Sequence, residues 1–311
     1  MTFKATTIIV TYNGLKWIDK CLTSLLLSDY KVKIIVIDNL STDGTPEYIS
    51  KNFSHVHLIK SKENVGFGKA NNIGIIKACQ DGSDYFFLLN QDAWVENDTI
   101  RKLVTHLHKS PEYGLISPMH LNGEGTALDY NFSNYISPWA CKNLYSDIFL
   151  NNIKDEIYEI QFVNAAAWLI SKECIEKVGG FSPVFFQYGE DDNYIHRVLY
   201  HGFKIGIYPL TRIFHDRENR ILLNPDQNIG LEKRHILIKY SNPNCIEIIA
   251  DLIKLNNKDL VKSILAFKWK SVKYYLNMNK ELRLLNIDIL KSLNKSKIVG
   301  HTFLEKIIRI K

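Results

Sequence analysis

The first ninety residues alternate between two periodicities, and nothing else in the chain restricts its fold so strongly. TTIIVTY, KVKIIVIDN, VHLIKS and DYFFLLN are β-branched and aliphatic runs. Between them lie LKWIDKCLTSLLLS, PEYISKNF and GKANNIGIIKACQ, where apolar residues recur at helical spacing. Strands joined by short crossover helices form right-handed βαβ units and a mostly parallel sheet, so the expected class is α/β with flanking helices. In such sheets ligands bind beyond the carboxyl ends of the strands. Thr11-Tyr12-Asn13, Asp38-Asn39 and Asn90-Gln91-Asp92 all lie at such ends and are expected to converge on one crevice.

The later chain is less regular. Residues from about 120 to 160 are rich in Asn, Ser and Tyr and read as an irregular cover over the crevice. IQFVNAAAWLIS reads as a strand, and KECIEKVGGF as a helix closed by Gly179-Gly180. EDDNYIHRVLYHG reads as a helix opened by acids, and KIGIYP leads into TRIFHD. From about residue 228 the pattern is helical, with long amphipathic stretches such as NKDLVKSILAFKWKSVKYYL. The expected division is a domain over 1–240 and a basic helical extension over 241–311. From Lys254 to Lys311 there are 14 Lys and Arg against 4 Asp and Glu. That segment therefore carries +10 and the other 253 residues −4 of the formal +6. The basic character points to a partner surface of the tail.

No run approaches the length of a membrane-spanning helix, and the N-terminus enters a strand without a leader-like apolar core. Five scattered cysteines with no CxxC spacing fit reduced thiols and a cytoplasmic chain, and argue against a zinc site. No G-x-G-x-x-G follows the first strand, and NVGFGKANN lacks the GK[ST] ending of a phosphate loop. A tight turn into a helix accounts for NVGFGKANN equally well.

Three features carry chemistry, each beside a plainer reading. Asp92 is either the first polar residue of a turn or a carboxylate ligand for Mg or Mn. In YGEDDN, helix N-terminal charge explains one or two of the three acids. Crowded carboxylates also raise one another's pKa, which suits a general base. His215 ends TRIFH; with Asp92 it would make a carboxylate–imidazole pair of metal-ligand type.

Six segments in order, IIVTYNG, VIDNLSTDGT, ENVGFGKANNIGI, LLNQDAWV, VGGFSPVFFQYGEDDNYIHRV and IFHD, resemble the family-2 glycosyltransferases of the GT-A fold. The correspondence runs from about Thr6 to about Arg217 and is most like the rhamnosyltransferase-like subgroup, which builds bacterial surface polysaccharides. The resemblance implies a Rossmann-like nucleotide-diphospho-sugar fold and an inverting, divalent-metal-dependent sugar transfer. Thr11 and Tyr12 would line the nucleobase pocket, Asp38 and Asn39 the base and ribose, and Asn64 and Gly66 the nucleotide. Gln91 would lie by the ribose or diphosphate. Asp92 and His215 would hold Mn or Mg, and Asp191 would be the base. Glu190, Asp192 and Trp168 would be acceptor-side or secondary residues. The donor would be a nucleotide-diphosphate sugar, with dTDP-rhamnose first and UDP-sugars next. The acceptor would be a saccharide or polyprenyl-linked saccharide. Outside the resemblance, the basic amphipathic helices of the tail, with Trp269, Tyr274 and Tyr275, are expected either to rest on the inner face of an anionic membrane or to pack as a plain appendage, and nucleic acid is not an expected partner.

The chain departs from the family pattern at Asn90, where a first acid is usual, at Ser182 and at Asn193. Two other readings stand beside this one. A nucleotidyltransferase would want a basic, glycine-rich loop after the first strand, which TYNGLKW does not supply. A non-catalytic nucleotide-sugar binder is favoured by Asn90 and opposed by Asp92, Asp191 and His215.

Overall fold

A computed structural model describes residues 3–216 and 228–304. The alternating part folds as its periodicity requires: β1 (Ala5–Thr11), α1 (Leu15–Leu26), β2 (Lys33–Asp38), α2 (Thr45–Asn52), β3 (His57–Lys60), α3 (Phe67–Gln80) and β4 (Tyr85–Asn90). β1 pairs in parallel with β2 and β4, and β2 with β3. Ile8, Ile35 and Phe86 face one apolar core, and Ile9, Val36 and Phe87 the other. Strands covered on both faces read as unbroken apolar runs, which is why these segments are legible.

Next come β5 (Ala93–Val95), α4 (Thr99–Lys109), β6 (Tyr113–Asn122), α5 (Tyr130–Tyr135) and α6 (Leu144–Phe149). They are followed by β7 (Tyr158–Ile160), β8 (Ala167–Ser171), α7 (Lys172–Val178), α8 (Glu190–Tyr200) and β9 (Lys204–His215). The sheet order is β3-β2-β1-β4-β8-β6-β9-β5, with β7 also on β9. β8 runs antiparallel to both β4 and β6, whereas β6 and β9 are parallel.

IQFVNAAAWLIS is therefore not one strand. β7 pairs with β9 and β8 lies between β4 and β6, so the chain must leave the sheet between them. The segment read as irregular contains α5 and α6, and the strands β5 and β6 were not expected.

The chain divides into two compact units, Met1–Ile221 with Val299–Lys311, and Leu222–Ile298. The boundary expected after residue 240 falls inside the second unit. That unit holds α9 (Asn228–Tyr240), α10 (Ile249–Leu265) and α11 (Trp269–Ser296). The stretch NKDLVKSILAFKWKSVKYYL is broken between α10 and α11, where Phe267 takes φ +53°. Tyr240, Ile249 and Ile289 are the buried centre of this unit.

Residues 299–304 belong to the first unit. Gly300 N donates to Lys177 O at 3.0 Å, and Gly180 N to Thr302 O at 2.9 Å. The fully buried Arg197 donates to the carbonyls of Val178 and Gly180 and to Thr302 Oγ1. Burial lowers its pKa to about 10.

Candidate active site

The parallel register puts Thr11 beside Asp38 and Val10 beside Asn90, so three strand ends open at one edge. Gln91 ties that edge together. Its Oε1 accepts from Thr11 Oγ1 at 2.6 Å and from Tyr12 N at 2.9 Å, and its Nε2 donates to Tyr12 O at 3.2 Å. Gly14 leaves room for this clasp: a Cβ there would lie 2.2 Å from Gln91 Oε1. Thr11 is completely buried, so only Tyr12, 48% exposed, presents a surface to a ligand. Gln91, expected against ribose or diphosphate, is engaged at both ends of its amide.

Asp38 is buried; its Oδ2 accepts from Ser41 N at 3.3 Å, while its buried Oδ1 has no hydrogen-bond partner among the described residues. A buried carboxylate oxygen is costly to leave unpaired, so this one is suited to a ligand N–H or O–H. Asn39 is buried as well. Its Nδ2 donates to Asn64 Oδ1 at 2.8 Å and its Oδ1 accepts from Val65 N at 2.9 Å. Asn39 thus holds the 64–66 loop. Gly66, at φ +83°, brings that loop against the 181–189 segment, where a Cβ would meet Phe186 O at 2.1 Å.

Asp92 immediately precedes β5, whose Ala93 pairs with His215 in the short antiparallel ladder between β5 and β9. Asp92 Oδ1 lies 3.3 Å from His215 Nε2, and His215 Nδ1 lies 3.2 Å from Asp129 Oδ2. Asp129 Oδ1 accepts from Phe132 N at 2.9 Å, capping α5. Sequence reading missed Asp129, although an Asp three residues before an apolar position is an N-cap signal.

This donor set fits a hard divalent ion. Asp92 is partly exposed, and with Asp129 beside Nδ1, His215 would turn Nε2 toward an ion held together with Asp92. No group of three or more His, Cys, Asp or Glu able to hold an ion occurs among the described residues. The remaining coordination positions would fall to phosphate oxygens and water.

α8 starts from a turn with Tyr188 at φ +68° and Gly189 at φ +95°. Asp191 Oδ1 accepts from Asp192 N at 3.0 Å, and its carboxylate also accepts from the backbone of Ala165. The adjacent Ala166 O accepts from Asn90 N at 2.9 Å, so Asp191 is tied to the end of β4 that carries Asp92. Burial raises the pKa of Asp191. Burial, and then the neighbouring Asp191 charge, push Asp192 up to about 7. Glu190 is buried under the first turn of α3, where a Cβ on Gly68 would lie 3.5 Å from its own.

Trp168, expected on the acceptor side, is instead a core residue with no exposure. It stacks on Phe181 at 6.1 Å and lies beside Tyr194 of α8.

The sheet and its edge define a GT-A nucleotide-sugar transferase fold, shared with solved glycosyltransferases. One is the mannosyltransferase PcManGT from Pyrobaculum calidifontis, solved with GDP-Man and Mn2+. It has a TM-score of 0.53 and 17% identity over 94% of this chain and 88% of that one. The chain belongs to glycosyl transferase family 2, whose sequence profile matches residues 6–179. That match ends before Asp191 and His215. The chain is 25% identical to the low-salt glycan biosynthesis hexosyltransferase Agl10 of Haloferax volcanii over 60% of its own length and 59% of that protein. It is 20% identical to the N-acetylglucosaminyl-diphospho-decaprenol L-rhamnosyltransferase of Mycobacterium tuberculosis over 76% of its length and 84% of that protein. The aligned part thus spans less than two thirds of the Haloferax protein.

Proposed function

We propose that this chain transfers a hexosyl residue, rhamnose first among candidates, from a nucleotide-diphosphate donor to a saccharide or lipid-linked saccharide, with inversion. The observation that carries the reading is the joining of two carboxylate centres at one sheet edge. Asp92 pairs with His215 at 3.3 Å, and Asp191 is tied through Ala165 and Ala166 to Asn90. The relatives named for hexosyl and rhamnosyl transfer, and the neighbour solved with GDP-Man and Mn2+, support it.

In this reading Tyr12 stacks on the base and the open oxygen of Asp38 accepts a base or sugar donor. Asp92 and His215 would hold Mn or Mg, which would supply positive charge against the negative charge growing on the departing diphosphate. Asp191 takes the acceptor hydroxyl proton. The acceptor oxygen bonds to the anomeric carbon from the face opposite the leaving group. The bond from that carbon to the diphosphate breaks, and its electron pair leaves with the nucleotide. Asp192, beside Asp191, holds a proton near neutrality and limits the negative charge around the base. The five free cysteines accord with action in the cytoplasm.

The test is nucleotide release from dTDP-rhamnose and from UDP- and GDP-sugars, with Mn or Mg and a polyprenyl-diphosphate saccharide acceptor. Asp92→Ala should lose metal-dependent donor binding and release together. Asp191→Asn should keep donor binding and lose transfer by roughly 100-fold or more. Donor binding without release in the unaltered protein, under every acceptor tried, would favour a non-catalytic binder.

A further inference from the structure

The second unit carries a surface that its own core does not explain. α10 and α11 form an antiparallel hairpin, held where Asn256 Nδ2 donates to Tyr275 O at 3.1 Å and to Asn279 Oδ1 at 2.7 Å. The turn is ILAFKWK, residues 264–270, and every one of these residues is exposed. Leu265 and Phe267 are each 75% exposed and Trp269 65%. The rings of Phe267 and Trp269 meet at 70° with centroids 6.4 Å apart.

Phe267 sits at φ +53°, where glycine or asparagine is the usual choice. Neither the turn nor the packing of the hairpin asks for an aromatic ring at that position. Strain held at an exposed aromatic points to use outside the fold.

Charge identifies the partner. From Lys262 to Lys280 the sequence has five lysines and no Asp or Glu. Along α11 the face turned inward carries Met278, Leu282 and Ile289, all buried. The face rotated about half a turn away exposes Leu276, Leu284 and Ile287, interleaved with Lys280 and Arg283. An apolar stripe edged by long cationic side chains can sink its carbon surface while the ammonium groups reach phosphate. A second copy of this chain would set the same lysines against one another. Nucleic acid would meet the lysines but offers no apolar layer for Leu265.

We propose that the α10–α11 turn docks on an anionic phospholipid bilayer. Leu265, Phe267 and Trp269 enter the boundary between headgroups and acyl chains, and the lysines flanking them lie against lipid phosphates. The inference rests on the second unit alone and stands apart from the sugar-transfer reading.

The experiment is flotation of the full chain with vesicles of phosphatidylcholine, alone or with phosphatidylglycerol as roughly one third of the lipid. The chain should float with the anionic vesicles only, and less as salt rises. Lys268→Gln with Lys270→Gln should weaken binding roughly fivefold per charge removed. Phe267→Ser with Trp269→Ser should weaken it at least about tenfold with an unchanged circular dichroism spectrum, since both side chains are exposed. Brominated lipid should quench tryptophan emission in the unaltered chain and less in Trp269→Phe. Equal binding to neutral and anionic vesicles, or full binding by the Phe267→Ser, Trp269→Ser chain, overturns the proposal. So does a concentration-dependent dimer that this double variant abolishes while neither chain floats.

Discussion

Asp129 carries two tasks on two oxygens, one holding the first turn of α5 and the other facing His215 Nδ1. The tasks can be separated. Asn is nearly as good an N-cap as Asp, so Asp129→Asn should leave α5 in place while removing the charged partner of the imidazole. Mn affinity in the presence of UDP, read by paramagnetic resonance titration, should fall roughly 10–100-fold. Asp129→Ala should lose about 1 kcal/mol of stability in addition. Unaltered Mn affinity in Asp129→Asn would remove Asp129 from the site. Asp192 makes a pH-dependent prediction. Its pKa is about 7 in the folded chain against about 3.9 in an unfolded one. Between those values the folded state holds more protons, so its contribution falls as pH rises through that window and its cost is fully present above pH 7. Asp192→Asn should therefore raise the melting temperature at pH 8 and leave it nearly unchanged at pH 3; a lower value at pH 8 would contradict the assignment. Asp92 is visible in the sequence because it follows an apolar strand, and Asp191 because it lies in a run of three acids at the entry of a helix. Asp129 is not, because its partner lies 86 residues away on β9.

At the scale of elements, the first-strand edge depends on one absent side chain. Gly14 leaves the space that Gln91 fills, and Gln91 in turn bonds Thr11 and Tyr12. Gly14→Ala should displace the Gln91 amide, with a loss of roughly 1–3 kcal/mol from overpacking and weaker donor binding. Gln91→Ala should lose the clasp but make room for the added methyl. The double variant should then be less destabilised in urea than the sum of the two single ones, by more than about 0.5 kcal/mol. Simple additivity would mean that the two residues do not meet. The elements that were legible are those covered on both faces, β1, β2 and β4, whose apolar runs have no other explanation. The end of β7 and the whole of β8 read as one strand because only six residues, most of them apolar, separate the two. Their separation is decided by long-range pairing with β9, β4 and β6, which local periodicity does not encode.

The whole chain is organised differently from its charge. Basic composition marks everything after residue 253 as one tail, yet residues 299–304 complete the first unit. The reason is physical: α7 ends in carbonyls that Arg197 alone does not satisfy, and Gly300 and Thr302 supply the rest of the bonding. Arg197 is fully buried with its charge facing backbone oxygens, so loss of a neighbour leaves a charged group short of partners. Leu304, also buried, covers the same face of the core. A chain ending at residue 298 keeps every helix of the second unit and removes only this return segment. It should lose at least about 3 kcal/mol from the first unit, a fall in melting temperature of roughly 6–12 °C at about 2–4 °C per kcal/mol. The helical content should be almost unchanged. A boundary drawn by composition at residue 240 predicts no such effect, because on that division the last residues belong to an appendage. Equal melting of the truncated and full chains would restore that division, whereas a large fall with intact donor binding at low temperature would show the segment to be a brace of the sheet unit and not part of the site.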